Sequence, residues 1–381
     1  MDQHVTKPIR SFQVAGFILL FIASYIDNVR GPLLTIIAKD LSINYEIASR
    51  LLSIGNISAC AALLLMIPMM KTMSEGNSSK LAALVVIIGG VISYYVTSQP
   101  TLYIFAIFIG IGTAMFGVLS NIFVMRGTPL LQHANMLSGL QVMYGLSSML
   151  APAAAAFVTS QSLDWRFLFI GLIPIASIFL IFMQFGVEKH EPAPQKQDGT
   201  FHLTGTQVLL LITFCFYVIA EVSCSMWMTP YLVETFKFDI SSASLYASGF
   251  FFFMMISRLY CFFFLRDSNR EKILMASLFF PLLALAIGIG AQIPLILPLA
   301  GLFGPFWPIF VSKVTKNYPK EWRSLTLWLV FGLQGSLLFM NYTMGRLSSL
   351  MPMKQAYLIS PIFQVLTITC FFILRKKSKS F

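Results

Sequence analysis

The chain has 381 residues, 57% of them apolar and only 11% charged, where an ordinary soluble domain is about 45 to 50% apolar and about 25% charged. Small globular cores are excluded as the main plan, and a lipid-embedded protein is indicated. The net charge of +11 does not point to nucleic acid, because no basic face carries interleaved aromatics and the Lys and Arg residues fall between hydrophobic runs.

Taken in chain order, the apolar runs cover roughly 12–38, 47–70, 81–98, 101–124, 134–158, 167–186, 206–233, 242–264, 272–291, 293–311, 324–346 and 355–374. Each is near the ~20 residues that a bilayer crossing requires. The expected fold is therefore an all-α integral membrane protein with 12 transmembrane helices. The first run is too long for a signal-peptide core and has no small-residue cleavage site after it, so it is expected to be retained. Five cysteines, Cys60, Cys215, Cys224, Cys261 and Cys370, lie inside apolar runs with neither zinc spacing nor paired loop positions. They read as small core residues, and no metal or other cofactor is expected.

Twelve crossings put both termini on one side. That side collects eighteen Lys and Arg against six on the other, with Arg30 and Arg258 inside spans. The positive-inside rule makes the termini cytoplasmic, in a bacterial inner or other plasma membrane. The longest polar stretch, from Gly186 to Thr206, divides the chain into six spans and six spans. The expected organisation is a bundle over 1–186, a cytoplasmic linker over 187–205 and a second bundle over 206–381. Within the bundles, Ile122-Phe123-Val124 followed by Gly145-Leu146 recurs as Ile309-Phe310-Val311 followed by Gly332-Leu333, all 187 residues later, and Arg126 matches Lys313 at the same offset. Such a six-plus-six duplication resembles the plan of the major facilitator superfamily, which implies a substrate site between the halves near the midplane.

Asp27 and Glu221 are the only carboxylates deep inside the predicted spans. Asp27 lies sixteen residues after Ser11 and Glu221 fifteen after Thr206, so at ~1.5 Å per residue both stand about 22 to 24 Å into helices rising from the same side. An intramembrane carboxylate is costly and normally faces a cavity or a partner. Two readings stay open for each: proton carriage, or a structural pair with Arg30, three positions from Asp27 on one helical face, or with Arg258. Glu221, with no basic neighbour in sequence, is the stronger proton carrier, and Asp27 the stronger ion-pair or substrate-orienting group.

Polar solutes require hydrogen-bonding groups and an aromatic surface, and the spans offer Tyr25, Asn28, Asn121, Gln141, Tyr144, Trp227, Gln334 and Asn341. Individually these read as readily as interhelical hydrogen-bonding or interfacial residues. Gln141 and Tyr144 share a face of the fifth helix, and the adjacent Gly139 and Gly145 permit close helix approach.

The first helix (ASYIDNVRGPLLTIIAKDLSI), the fifth (GLQVMYGLSSMLAPAAAAF) and the seventh (FCFYVIAEVSCSMWMTPYLVE) resemble the fucose/glucose sugar-symporter branch of that superfamily. Gly-Leu-Ser then Ala-Pro between Gly145 and Pro152, and Asp164-Trp165-Arg166 opening the sixth helix, fit the superfamily over the whole chain. The resemblance implies that Asp27, Asn121 and Gln141 line a sugar and proton site. It also shows two departures. Gly117 stands where the branch has a fourth-helix acid, and the loop KTMSEGNSSK lacks the usual Gly, Asp-Arg and Gly-Arg signature.

The sequence therefore predicts a secondary active transporter, working as a monomer, that takes up a sugar or other small polar solute with protons. A multidrug or metabolite exporter of the same fold is the second reading, supported by the many Phe and Met, and a nutrient receptor without transport is the third. An enzyme is not expected, since His4, His133, His190 and His202 are scattered over loops and a helix end. No P-loop is present for ATP-driven pumping.

Overall fold

A computed structural model describes residues 9–129, 133–185, 203–264, 268–318 and 322–377. The linker expected over 187–205 lies, up to residue 202, outside the described residues, as do His4, His190 and His202. The described residues form twelve helical spans and no strand. They are α1 (Arg10–Asp40), α2 (Tyr45–Thr72), α3 (Glu75–Tyr94), α4 (Gln99–Arg126), α5 (His133–Ser160) and α6, in two pieces (Phe167–Ile170 and Leu172–Phe185). Then follow α7 (Gly205–Phe236), α8 (Ile240–Phe264), α9 (Arg270–Leu285, prolonged by a π-helical turn over Ala286–Gly290), α10 (a 3-10 stretch Pro294–Phe303, then α-helical Phe306–Asn317), α11 (Trp322–Leu350) and α12 (Met353–Ala356, then Ile359–Lys377). Ten of them are long and apolar enough to cross a membrane. Large apolar side chains such as Leu65, Ile178, Phe263 and Ile362 are exposed around the spans, as a surface solvated by lipid tails requires.

Local chemistry explains the ends. Ser98 and Thr101 form a capping box at α4, and Thr204 and Gln207 another at α7, where the Gln207 side-chain oxygen Oε1 accepts the Thr204 amide at 2.8 Å. The Asp239 carboxylate accepts the Ser242 amide at 2.9 Å and so caps α8, and its hydrogen bonds from Ser242 hold it below the ordinary carboxylate range. Tight turns after α1, α5, α7 and α9 each use one left-handed residue: Ser42, Ser162, Lys237 and Gln292, with φ between 52° and 58°. The third span sits earlier than its hydropathy suggests. Ser74 caps it by accepting the Asn77 amide, so the polar stretch before residue 81 is helical, and residues 95–98 form the turn into α4.

The chain divides into two compact units. The first holds α1, α2 from Arg50 onward, and α3 to α6; the second holds α7 to α12 together with Asn44–Ser49. In the first, α1 packs against α4 and α5, and α3 against α4 and α6. The α2–α4 crossing is close enough that a methyl group at Gly110 would collide with the Gly55 carbonyl and the Ser58 hydroxyl. In the second, α7 packs against α8, α11 and α12, and α10 against α8 and α9. There Gly301 and Gly304 allow the same intimacy, facing the Phe250 and Met254 carbonyls.

Ion pairs tie the helix ends within each unit. Glu75 at the start of α3 pairs with Arg126 at the end of α4 (2.7 Å). Glu271 at the start of α9 pairs with Lys313 at the end of α10, and more loosely with Arg375 (3.8 Å). The Arg126 and Lys313 match in sequence thus corresponds to one repeated tie between successive helices. At the other end of the first unit Arg166 pairs with Asp164 (3.0 Å) and Asp40 (3.4 Å) and donates to the Val96 carbonyl, while the Trp165 indole donates to Asp40 at 2.9 Å. The Asp-Trp-Arg corner therefore joins the end of α1 to the α3–α4 turn.

Candidate functional site

Each unit carries one charged centre halfway along its first helix. Asp27 is 17 residues into the 31-residue α1, and Glu221 is 16 residues into the 32-residue α7.

In the first unit, α1 places Arg30 one turn beyond Asp27, and the guanidinium pairs directly with the carboxylate. The Asp27 side chain remains 37% exposed while that of Arg30 is 9% exposed. Arg30 also donates to the Asp27 carbonyl (3.3 Å), and a methyl group at Gly55 of α2 would stand 3.5 Å from its Nη1. A small cavity lined by Arg30, Leu33, Leu51, Gly55, Phe105, Ala106, Ile109 and Phe169 adjoins it. Beside this pair, the buried Asn28 amide donates to the Ser148 hydroxyl (2.8 Å), to the Ser24 carbonyl (2.8 Å) and, at 3.5 Å, to the Tyr144 hydroxyl. Tyr144 lies within electrostatic range of Arg30. Asp27, Asn28, Arg30, Tyr144 and Ser148 thus form one polar cluster between α1 and α5. Ser148 was not among the residues singled out from sequence, although it lies one turn beyond Tyr144 and that spacing was available.

Gln141 lies one turn before Tyr144, partly exposed, with no hydrogen bond among the described residues. Gly139 beside it meets Phe17 of α1, whose ring tip would be 3.3 Å from an added methyl group. Asn121 on α4 is exposed and donates to the Gly117 carbonyl of its own helix at 2.9 Å. A methyl group at Gly117 would meet nothing within 4 Å, so the position opposite the branch's missing acid opens into free space. Tyr25 is partly buried and has no hydrogen bond to this cluster among the described residues.

In the second unit the centre is assembled from three helices. Tyr217 of α7 lies one turn before Glu221, within hydrogen-bonding reach of it, and donates to the Phe303 carbonyl of α10 at 3.3 Å. Arg258 of α8 acts electrostatically on Glu221 and donates through Nε to the Gly304 carbonyl of α10 at 3.2 Å. Aromatic rings flank this centre: Tyr217 stacks on Phe306 (4.2 Å between ring centres) and Phe306 on Phe310 (5.0 Å), while Phe214 lies tilted against Trp307 (4.8 Å). Tyr217 and the α10 carbonyls were missed from sequence. The i−4 position of Tyr217 was readable, but carbonyl acceptors carry no side-chain signal.

The other candidates of this unit are placed differently. Trp227 is fully buried and its indole N–H has no acceptor among the described residues. Asn341 is fully buried with neither end of its amide paired, and the Gln334 carbonyl oxygen is also unpaired. These two lie two turns apart on α11. Buried amides left open in this way are positions for ordered water or a ligand. Among the described residues no three His, Cys, Asp or Glu side chains gather as a metal site would require.

The fold is widely shared. It superposes on a D-xylose–proton symporter with a TM-score of 0.75 at 16% identity, covering 96% of this chain and 97% of that one. The xylose transporter XylE from E. coli aligns with a TM-score of 0.77 at 14% identity, over 95% of this chain and 96% of that one. The nucleoside transporter NupG gives 0.75 at 14% identity, over 95% and 99%. At these identities the likeness is one of fold. By sequence, a Protein TsgA homolog of Yersinia enterocolitica is 28% identical over 173 residues, 42% of this chain and 43% of that protein, so the chain spans less than half the length of the curated relatives it matches. The sequence model of the Major Facilitator Superfamily matches residues 16–339. The chain is therefore a member of the Major Facilitator Superfamily and an integral, multi-pass membrane protein.

Proposed function

We propose that the protein is a proton-coupled importer of a sugar or another small polar solute, working by alternating access. The observation that carries this reading is the pair of mid-helix carboxylates, Asp27 and Glu221, each beside a guanidinium in its own unit. A carboxylate held there answers both to protons and to a neighbouring hydrogen-bonding solute. Glu221 is assigned proton loading. Asp27, paired with Arg30 and partly exposed, is assigned to orient substrate with Asn28, Tyr144, Gln141 and Asn121. In the second unit Gln334 and Asn341 supply open amides, Trp227 an aromatic wall and Arg258 the counter-charge.

The protein is assigned to the cell inner membrane as a monomer with both termini cytoplasmic, and 1–186 and 206–381 as the two moving halves. The fold of a D-xylose–proton symporter supports a sugar as the first solute to try.

The test is uptake of labelled sugars, amino acids and nucleosides into proteoliposomes with an imposed proton gradient. Accumulation that collapses with a protonophore supports the reading. Gradient-driven dye efflux without solute uptake would instead establish an exporter, the reading favoured by the aromatic rings from Phe214 to Phe310. Binding without any flux would establish a receptor.

A further inference from the structure

Within the second unit, α9 and α12 pack side by side along a seam that faces outward. The Gln364 amide of α12 donates to the Leu278 carbonyl of α9 at 2.6 Å, and the next residue, Phe279, has its ring centre 6.4 Å from that of Phe372 on α12. Both rings are exposed, and so are Leu283, one turn further along α9, and Ile373 on α12. The seam therefore offers an aromatic and aliphatic floor to acyl chains.

Cations stand beyond that floor. Lys272 precedes Phe279 by seven residues and Lys376 follows Phe372 by four, spacings that keep each lysine on the face of its aromatic partner. They stand about 10 Å and about 6 Å further along the two helices. Arg270, Arg375 and Lys377 bring the cations of these two helix ends to five. Glu271 is the one carboxylate in either helix, and the buried Lys313 of α10 engages it. Arg375 stands 3.8 Å from Glu271, beyond hydrogen-bonding distance, with its side chain 47% exposed. Lys272, Lys376 and Lys377 are exposed as well. The positive-inside bias places cations at the ends of spans. Here two sets adjoin over a single apolar seam.

We propose that this seam binds an anionic phospholipid, with its headgroup phosphate between Lys272 on α9 and Arg375 and Lys376 on α12, and its acyl chains over Phe279, Leu283 and Phe372. A phosphodiester complements the excess of positive charge, and its oxygens accept from ammonium and guanidinium donors alike. Each cation beside an anionic headgroup is worth about fivefold in affinity, so three acting together select strongly against a zwitterionic lipid. The apolar floor is what a free phosphate ion would leave unused, and it makes a lipid the occupant. The inference stands apart from the identity of the solute and from the direction of its transport.

The test is native mass spectrometry of the full chain, purified in detergent and offered equal amounts of phosphatidylglycerol and phosphatidylcholine with the same acyl chains. The parent protein is expected to retain the anionic lipid about tenfold or more over the zwitterionic one. Combining Lys272→Gln, Arg375→Gln and Lys376→Gln is expected to remove that preference. Combining Lys39→Gln, Lys237→Gln and Lys354→Gln, which takes the same charge from elsewhere, is expected to keep it. Phe279→Ala with Phe372→Ala is expected to lower retention of both lipids. No preference in the parent, equal losses in the two triple variants, unchanged retention without the two rings, or displacement of the lipid by an excess of inorganic phosphate overturns the proposal. Should the first triple variant fail to fold, Lys272→Gln and Lys376→Gln taken singly are each expected to lose about fivefold of the preference, and an unchanged preference in both overturns the proposal equally.

Discussion

The two charged centres lie at the same depth of their helices but are built on opposite principles. In α1 the acid and the base are one turn apart on a single helix, so their pairing survives any movement of that helix against its neighbours. In the second unit the acid is on α7, the cation on α8 and the anchoring carbonyls on α10, so the balance of charge depends on how three helices pack. A pair carried on one element is a fixture, whereas one divided among three responds to conformation. On the proposed function, proton loading that must alternate with solute binding belongs on the second kind.

The sharpest way to break this contrast is to neutralise each acid. Glu221→Gln is expected to abolish pH-gradient-driven accumulation and to flatten the pH dependence of uptake, while solute exchange at equilibrium persists. Asp27→Asn is expected to weaken solute affinity and retain gradient dependence. Accumulation assays at several pH values check both, and the reverse pattern would invert the assignment of the two centres.

Next in size is removal of the cations. Arg258→Leu leaves Glu221 without its counter-charge and the Gly304 carbonyl without its donor, at a cost of about 3 kcal/mol. Arg30→Leu costs less, about 1 to 2 kcal/mol, because the Asp27 side chain is 37% exposed and hydrates. Thermal unfolding in detergent ranks the two, and equal losses would remove the distinction between them.

A smaller effect separates two glycines of α4. Gly110→Ala drives a methyl group into the α2 backbone and is expected to cost about 2 kcal/mol. Gly117→Ala enters open space and leaves stability within about 0.5 kcal/mol. The smallest expected change is Gln141→Ala, which loses about one hydrogen bond to solute, roughly tenfold in affinity, with melting unaltered. Collapsed expression at unchanged affinity would make Gln141 structural instead.

Much of this architecture was legible from the sequence because a bilayer imposes one rule, ~20 apolar residues per crossing. The twelve predicted runs correspond to the twelve helical spans, and the offset linking Arg126 to Lys313 surfaced as a repeated tie to the acid that opens the preceding odd-numbered helix. What escaped was carried by the backbone. The long 3-10 stretch of α10 and the π-helical end of α9 leave no hydropathy signature, and a backbone carbonyl such as that of Gly304, which accepts Arg258, is invisible to any reading of side chains. The Asn28–Ser148 bond, spanning 120 residues, shows the same limit in another form: both partners are ordinary helix residues until the packing of α1 on α5 brings them together.

The stretched geometry of α10 also sets its reach. A 3-10 segment climbs ~2.0 Å per residue against ~1.5 Å in an α-helix, so the ten residues Pro294–Phe303 extend about 20 Å where an α-helix would extend about 15 Å. Rewinding them would shorten the span by about 5 Å, comparable to the difference in hydrocarbon thickness between thin and thick biological membranes. Among the described residues it is α10 that carries a long 3-10 stretch, so the length of this crossing is tied to its pitch, and acyl-chain length would bear on that geometry.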